Sequence, residues 1–397
     1  MQNSNYFGTR EDKYKKNKKH RKLKVFILIL VLLIGGGGAY AMRISGQLKT
    51  TVNKIYKPAG NKTVSTAIKN KKTFSVLLLG VDTGAEGRID KGNSDTMIVA
   101  TINPKTNKTT LVSIPRDTLA QLQGANSFNM QKINAAYNVG GSKMAMSTVE
   151  KLFDTRIDYY ITVNMGALSK IVDTIGGVDV SVPFSFSSGG STFKKGKMHL
   201  NGTQALAYAR MRYEDPNGDY GRQKRQQQVI TSMIKSAVSL KALTNFENIL
   251  SSLENSIATN LSFDDMVSIQ SNYKDAAKHI TSDHLQGRSA TVEGASYEIP
   301  TNDEIQRVSD VLRTALGLKT TTIDNAETKQ NDLNTNFTGL EYQQDFTVYS
   351  ESVMNGGTST DTTTNDTSTD TTYSDQSSTT GNTWSTQEST SQWNNGY

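Results

Sequence analysis

The side chains in this sequence that could do chemistry are arginines and carboxylates, and they gather in four short stretches. Asp82 follows the apolar run VLLLGV, Asp95 opens NSDTMIVAT, and Arg116 follows SIP in SIPRDT. The stretch ALAYARMRYEDPNGDYGRQKRQQQVI, 205–230, carries Arg210, Arg212, Arg222, Lys224 and Arg225 together with Asp219 and Gln226. Several forked guanidinium groups in one pocket suit a phosphate or pyrophosphate. Carboxylates beside such an anion repel it unless a divalent cation bridges them, and Mg²⁺ typically uses one or two carboxylates plus substrate phosphates. The competing reading is a set of turn caps and an Arg–Asp network that holds a loop to the domain.

Other chemistries are excluded or disfavoured. There is no cysteine, so disulfides, thiol nucleophiles, Cys-ligated zinc and Fe–S clusters are ruled out. The sequence has no G-x-S-x-G elbow, no phosphate-binding G-x-x-x-x-G-K-[ST] loop, no G-x-G-x-x-G after a strand and no H-E-x-x-H. Of the four histidines, His20 lies in a basic N-terminal run, His199 in the loop-like KGKMHLNG, and His279 and His284 in an unmarked region. No residue declares itself as a general base; Asp82, Asp95, Asp117 and Asp219 all stay open.

The elements that must position these groups follow from hydrophobic rhythm. FSVLLLG (74–80) reads as a buried strand, and TMIVATI (96–102) and TTLVSI (109–114) as a hairpin joined by NPKTNK. A helix fits Ala135–Phe153, a strand 157–164, a short helix Met165–Ile175 stopped by Gly176-Gly177, and a strand 178–182. Asp219 to about Ser239 is the strongest helix, with Val229, Ile230, Met233, Ile234 and Ala237 on one stripe. On it Asp219, Arg222 and Gln226 fall at i, i+3 and i+7, a face adjoining the apolar stripe. Further helices are expected at 242–258, 263–279 and 302–316. Strands interleaved with helices argue for an α/β fold with helices covering a central sheet.

Charge divides the chain into unlike segments. The net charge of +7 hides a basic run at 10–24, a basic segment at 43–72 with eight Lys/Arg and no acid, and a 324–397 segment with eleven acids and one Lys. A pI of about 9.2 is therefore a sum and no sign of a nucleic-acid partner. Residues 1–24 read as a basic cytoplasmic tail. Val25–Met42 is uncharged, and as a helix it would span about 27 Å, close to the roughly 30 Å of a hydrocarbon core. The basic flank predicts a cytoplasmic N-terminus and an extracytoplasmic remainder. A cleaved signal peptide fits the same residues, and either way the bulk of the protein is exported. Residues 43–72 read as a membrane-proximal stalk, 73–323 as the folded domain, and 324–397 as a disordered acidic Ser/Thr-rich tail.

The blocks VLLLGVDTG, SDTMIVATINPKT, LVSIPRDT, KINAAYNVGG, IDYYITVNMGAL, IVDTIGGVDV and LNGTQALAYARMR…GDYGRQKRQQQVI, in that order, resemble the LytR–CpsA–Psr family. The resemblance covers about 74–240 and implies an α-β-α sandwich whose apolar tunnel holds a lipid tail. It implies an enzyme that transfers an anionic glycopolymer, such as wall teichoic acid or capsular polysaccharide, from a polyprenyl-pyrophosphate carrier to peptidoglycan, with pyrophosphatase action as a side reaction. It assigns Asp82 and Asp95 to Mg²⁺, Arg116, Arg210, Arg212 and Arg222 to the pyrophosphate, Asp219 to orienting an arginine, and Gln226 to supporting the site. Arg225 joins the substrate-binding set. Where the family usually has Arg-Ser-Asp, this chain has Asn93-Ser94-Asp95, so one contact is missing or comes from Arg88. A non-catalytic binder of the same carrier would need the same pocket. A transcriptional regulator, which part of the family's naming suggests, would have only about 24 residues in the cytoplasm and no DNA-reading module.

Overall fold

The computed structural model describes residues 53–59, 66–81, 92–239, 256–340 and 344–357. The near-continuous apolar runs of β1 (Phe74–Val81), β2 (Ser94–Asn103) and β3 (Lys108–Ile114) require cover on both faces. After them come the short ribbon of β4 (Leu119–Gln121) with β5 (Met130–Lys132), and the strand β6 (Tyr159–Asn164). β7 (Val178–Val182) pairs with β10 (Gly196–Leu200) around the ribbon of β8 (Phe186–Ser188) and β9 (Ser191–Phe193). The edge strands β11 (Ile257–Thr259) and β12 (Ile280–His284) and the hairpin of β13 (Gly287–Val292) and β14 (Ala295–Pro300) complete the set.

The central sheet has the order β11-β6-β1-β2-β3-β12. β1 is antiparallel to β2 and parallel to β6, and β3 is antiparallel to β2 and parallel to β12, so the sheet is mixed. Alternate residues of each strand feed two cores. Val76, Ile98, Leu111 and Tyr159 pack with Val172, Val229, Met233 and Ile269. Leu77, Val99, Val112 and Tyr160 pack with Val149, Leu152, Val308 and Leu312. The first face is covered by α2 (Met165–Thr174), α3 (Gly202–Arg210), α4 (Gly218–Ser239) and α5 (Phe263–Asn272), and the second by α1 (Ala135–Phe153) and α6 (Asn302–Leu316). This is the expected α-β-α sandwich.

Several boundaries differ from the sequence expectation. Helix α1 breaks at Gly140–Gly141, where Gly141 takes φ 64°, a conformation that favours glycine. The helix expected over 263–279 ends at Asn272, and a 3₁₀ turn, Lys274–Lys278, follows. The helix expected over 242–258 falls largely outside the described residues, and Ile257–Thr259 is a strand because it pairs with β6.

The stalk and the tail both contribute to the folded domain. Ile55 and Ile68 are fully buried, and Tyr160 donates its hydroxyl to Lys57 O at 2.5 Å. Isolated anchors of this kind leave no period in a basic segment. Beyond 323, α7 (Ala326–Leu333) starts from a reciprocal cap between Asn325 and Thr328, and Asn325 Nδ2 donates to Leu152 O at 3.0 Å. Glu327 Oε1 accepts from Gln121 N–H at 2.7 Å. Phe346 joins a small core with Leu119, Met130, Val292 and Ile299. The described part of the expected tail therefore packs on the domain through caps and side-chain to main-chain bonds, which hydrophobic rhythm cannot reveal. Ending the chain after Ile323 is expected to lower Tm by several degrees, since burial of Phe346 alone contributes about 2 kcal/mol. A thermal melt of the truncated and full-length chains measures the difference.

The expected membrane segment, 25–42, lies outside the described residues. Among those described, no helix is long and apolar enough to cross a membrane.

Candidate active site

Strand register builds one half of the site. Val81 at the end of β1 pairs with Ser94 at the start of β2, and Met97 pairs with Ile114 at the end of β3. The ends of β1 and β3 and the start of β2 therefore share one edge of the sheet. There Arg116 Nη1 meets Asp95 Oδ1 at 2.6 Å. Asp117, the next residue, binds Lys132 Nζ at 3.0 Å through its other carboxylate oxygen, with Arg116 Nε at 3.5 Å. Lys132, from the KINAAYNVGG block, is a cation that reasoning from the sequence missed, although the block itself stood out. Asp82 and Arg88 lie outside the described residues, and Asn93 is exposed.

The second half comes from α3, α4 and the loop between them. Arg222 Nη2 pairs with Asp219 Oδ1 at 2.6 Å, one helical turn back, and Arg212 Nε stands 4.0 Å from the same oxygen. Gln223 Nε2 donates to Asp219 Oδ2 at 3.1 Å, a further contact that the sequence did not mark. Arg222 Nη2 also reaches Asp95 O at 3.5 Å, which joins the two halves. Arg210 ends α3 and is exposed, and Gln226 Nε2 lies 3.5 Å from Ala209 O.

Arg225 does not belong to this set, contrary to the expectation from its place in the basic run. It is 1% exposed, donates Nε to Tyr208 O at 3.0 Å, and binds the Asp215 carboxylate and Met211 O. The rings of Phe186 and Tyr208 flank its guanidinium. Arg225 is thus an internal clamp on the end of α3 and on the loop that carries Arg212.

The charge distribution suits an anion. Among the described residues the Nε groups of Arg116 and Arg222 are buried without a hydrogen-bond acceptor, although Asp117 Oδ2 stands 3.5 Å from the first; folded proteins rarely leave such groups unexplained. Burial pulls Arg222 below the ordinary arginine pKa, and Arg116 and Arg212 act in the same direction against Asp219. Arg116 shifts upward, because the hydrogen bond and charge of Asp95, helped by Asp117 and Asp219, outweigh the effect of burial. Asp95, Asp117 and Asp219 each have a cationic partner, so none is a free base here.

Directly beneath lies an apolar cavity of about 130 Å³ that is partly open to solvent. Its walls include Leu78, Ile161, Leu168, Ile171, Val229, Ile230, Met233 and Ile234, whereas Arg210, Gln226 and Thr96 supply polar groups. An amphiphile with an apolar tail and an anionic head fits such a lining. For a cation, Asp95 offers its second carboxylate oxygen, which has no hydrogen bond among the described residues. Among those residues no group of three or more His, Asp or Glu could hold a metal, so a cation here would need substrate oxygens to complete its shell.

The chain matches the LytR_cpsA_psr family over residues 42–314. It is 44% identical over 252 residues to the polyisoprenyl-teichoic acid–peptidoglycan teichoic acid transferase TagU of Enterococcus faecalis, covering 64% of this chain and 82% of that protein. Its fold is similar to a crystal structure of a Streptococcus agalactiae protein, with TM-score 0.61 and 40% identity, covering 66% of this chain and 94% of that one. It is also similar to a structure of TagT bound to LIIa-WTA, with TM-score 0.54 and 27% identity, covering 66% of this chain and 97% of that one.

Proposed function

From the premise that this chain belongs to the LytR_cpsA_psr family, we propose that it is a phosphotransferase. It moves an anionic glycopolymer, of the wall teichoic acid or capsular class, from a polyprenyl-pyrophosphate carrier to peptidoglycan at the outer face of the membrane. The observation that carries this reading is the apolar cavity that shares Arg210 and Gln226 with the arginine cluster, in which two buried guanidinium N–H groups lack acceptors. The name of the Enterococcus faecalis relative supports the same donor and acceptor classes.

In this reading the prenyl tail lies among Ile171, Val229, Ile230 and Met233, and the pyrophosphate sits on Arg116, Arg210, Arg212 and Arg222. The acceptor hydroxyl attacks the phosphorus nearest the sugar, a new P–O bond forms, the bond to the bridging oxygen breaks, and the hydroxyl proton passes to the departing phosphate. Polyprenyl phosphate departs with that oxygen. The arginines stabilise charge on the phosphoryl oxygens, usually the largest contribution in such transfers. Asp219 and Gln223 hold Arg222 in its orientation. Asp82 and Asp95 would hold Mg²⁺, which when bound neutralises phosphoryl charge. Water in place of the acceptor would give pyrophosphatase action as a side reaction. Residues 25–42 would anchor the chain with this domain outside.

The test incubates the full chain in detergent micelles with a polyprenyl-pyrophosphoryl glycan, a peptidoglycan oligomer and Mg²⁺. Release of polyprenyl phosphate with formation of the linked glycan is expected; a bound carrier that is never cleaved would overturn the reading in favour of a binder. A companion variant, Ile230→Trp, narrows the cavity. It should raise KM about tenfold or more for a long-chain carrier and little for a geranyl carrier, because one extra ring collides only with a long tail.

A further inference from the structure

Tyr220 follows Asp219 on the first turn of α4, but its side chain serves the β13–β14 hairpin. Its hydroxyl donates to Glu298 Oε2 at 2.9 Å and accepts from Gly287 N–H at 2.7 Å. Glu298 Oε1 in turn accepts from Ser289 Oγ at 3.2 Å. The main chain of Glu298 faces the other way. Its N–H donates to Asp117 O at 2.9 Å, and Thr118 pairs with it in a parallel bridge. Glu298 therefore holds the neighbour of Asp219 through its side chain and the neighbour of Arg116 through its backbone.

The fit around this pair is close. A Cβ on Gly287 would lie 2.7 Å from Glu298 Oε2, so only glycine leaves room for the carboxylate. Glu298 is a half-buried carboxylate with no cation on it among the described residues, in contrast to Asp95, Asp117 and Asp219. Burial raises its pKa, and the charges of Asp219 and Asp117 act in the same direction against the hydrogen bonds from Tyr220 and Ser289. Both halves of the arginine site are thus within its electrostatic reach. Further along α4, Gln227 Nε2 ties the helix to Ser113 Oγ at 2.8 Å, whereas the direct contact of Arg222 with Asp95 O is long at 3.5 Å. Tyr220 ties the first turn to the β13–β14 hairpin.

We infer that the Tyr220–Glu298 pair is a strut that sets the separation between Arg116 on the strand end and Asp219 with Arg222 on the helix. The inference rests on the reading of that cluster as a pyrophosphate site. Tyr220 and Glu298 are positioning residues. Neither needs to touch the substrate, but the arginines grip one pyrophosphate only if their spacing is fixed.

The experiment compares Y220F, E298A and E298Q in the full chain in detergent micelles. Geranylgeranyl pyrophosphate is the probe, its affinity is read by calorimetry, and hydrogen exchange is followed in peptides spanning 117–120, 218–223 and 287–300. Y220F and E298A should lose about tenfold or more in affinity and exchange faster at 117–120 and 218–223 together. E298Q keeps an oxygen to accept from Tyr220 and an amide to donate to Ser289, so it should stay close to the parent in both measurements. Unchanged affinity in Y220F and E298A, faster exchange confined to the hairpin, or E298Q as impaired as E298A would each overturn the strut. If the parent chain does not bind the probe, the pyrophosphate reading fails. Exchange then decides alone: coupled loosening of 117–120 and 218–223 upholds the strut, and loosening of the hairpin only overturns it.

Discussion

Arg222→Ala is expected to reduce glycopolymer transfer about a thousandfold while the domain stays folded. The size of the effect follows from where the guanidinium sits. Its side chain is 8% exposed, paired at 2.6 Å with Asp219, and carries a buried Nε without an acceptor. Burial and the neighbouring arginines hold its pKa below the ordinary value, so an incoming anion relieves a repulsion already built into the site. Removing one preorganised donor from a developing oxyanion costs about 10²–10³ in rate, and removing an arginine from a phosphoryl transition state about 10³–10⁵. Most of the loss should appear in kcat, because Arg116, Arg210 and Arg212 still bind the ground state. Arg222→Lys should recover only part of the rate, since an ammonium group lacks the fork that meets both Asp219 and a phosphoryl oxygen. Arg116→Ala should give a loss of similar order. The measurement is kcat and KM for release of polyprenyl phosphate; Arg222→Ala within tenfold of the parent would remove Arg222 from the chemistry.

Arg222 and Arg225 show how far the sequence can be read. Both lie in the run GRQKRQQQ, one helical turn apart, and as residue types they are equivalent. Periodicity placed the helix that carries them to within a residue, and four residues of its apolar stripe turn out to line the cavity. What separates the two is Asp215, whose carboxylate folds back from the α3–α4 loop into the interior, a tertiary fact with no local signature. The convergence of Asp95 with Arg116 was legible because both sit at strand ends and the hairpin fixes their register. Lys132, Gln223, Tyr220 and Glu298 were not, since each acts through a partner distant in sequence or hidden within a polar run. The same limit hid contacts made on either side of 73–323. Ile55 and Ile68 are single anchors, and residues 325–334 dock through caps and amide side chains, so neither segment presents a period.

Arg225→Met should destabilise the protein by about 3–5 kcal/mol, the usual consequence of leaving a buried charge without its partner. Asp215 is 2% exposed at its side chain, and without Arg225 it keeps, among the described residues, the N–H and the side-chain amide of Asn217, at 2.8 and 3.3 Å. Tyr208 O and Met211 O lose their donor as well. For a domain of this size the loss corresponds to a Tm lower by roughly 10 °C. The double variant Arg225→Met with Asp215→Leu separates stability from function. Replacing both partners of a buried ion pair with apolar groups is often close to neutral, so Tm should recover in large part. Transfer should not recover. The loop over 211–217 would still lack the clamp that ties it to the end of α3, and Arg210 and Arg212 would no longer meet the pyrophosphate in register with Arg222. A misplacement of about 1 Å is enough to cost a hundredfold. Thermal melts of the single and double variants, read beside kcat for carrier cleavage, test both halves of the argument. A single variant melting within 2–3 °C of the parent, roughly 1 kcal/mol on this scale, would show that Arg225 bears no such load. A double variant with full activity would show that the loop holds its arginines without the clamp.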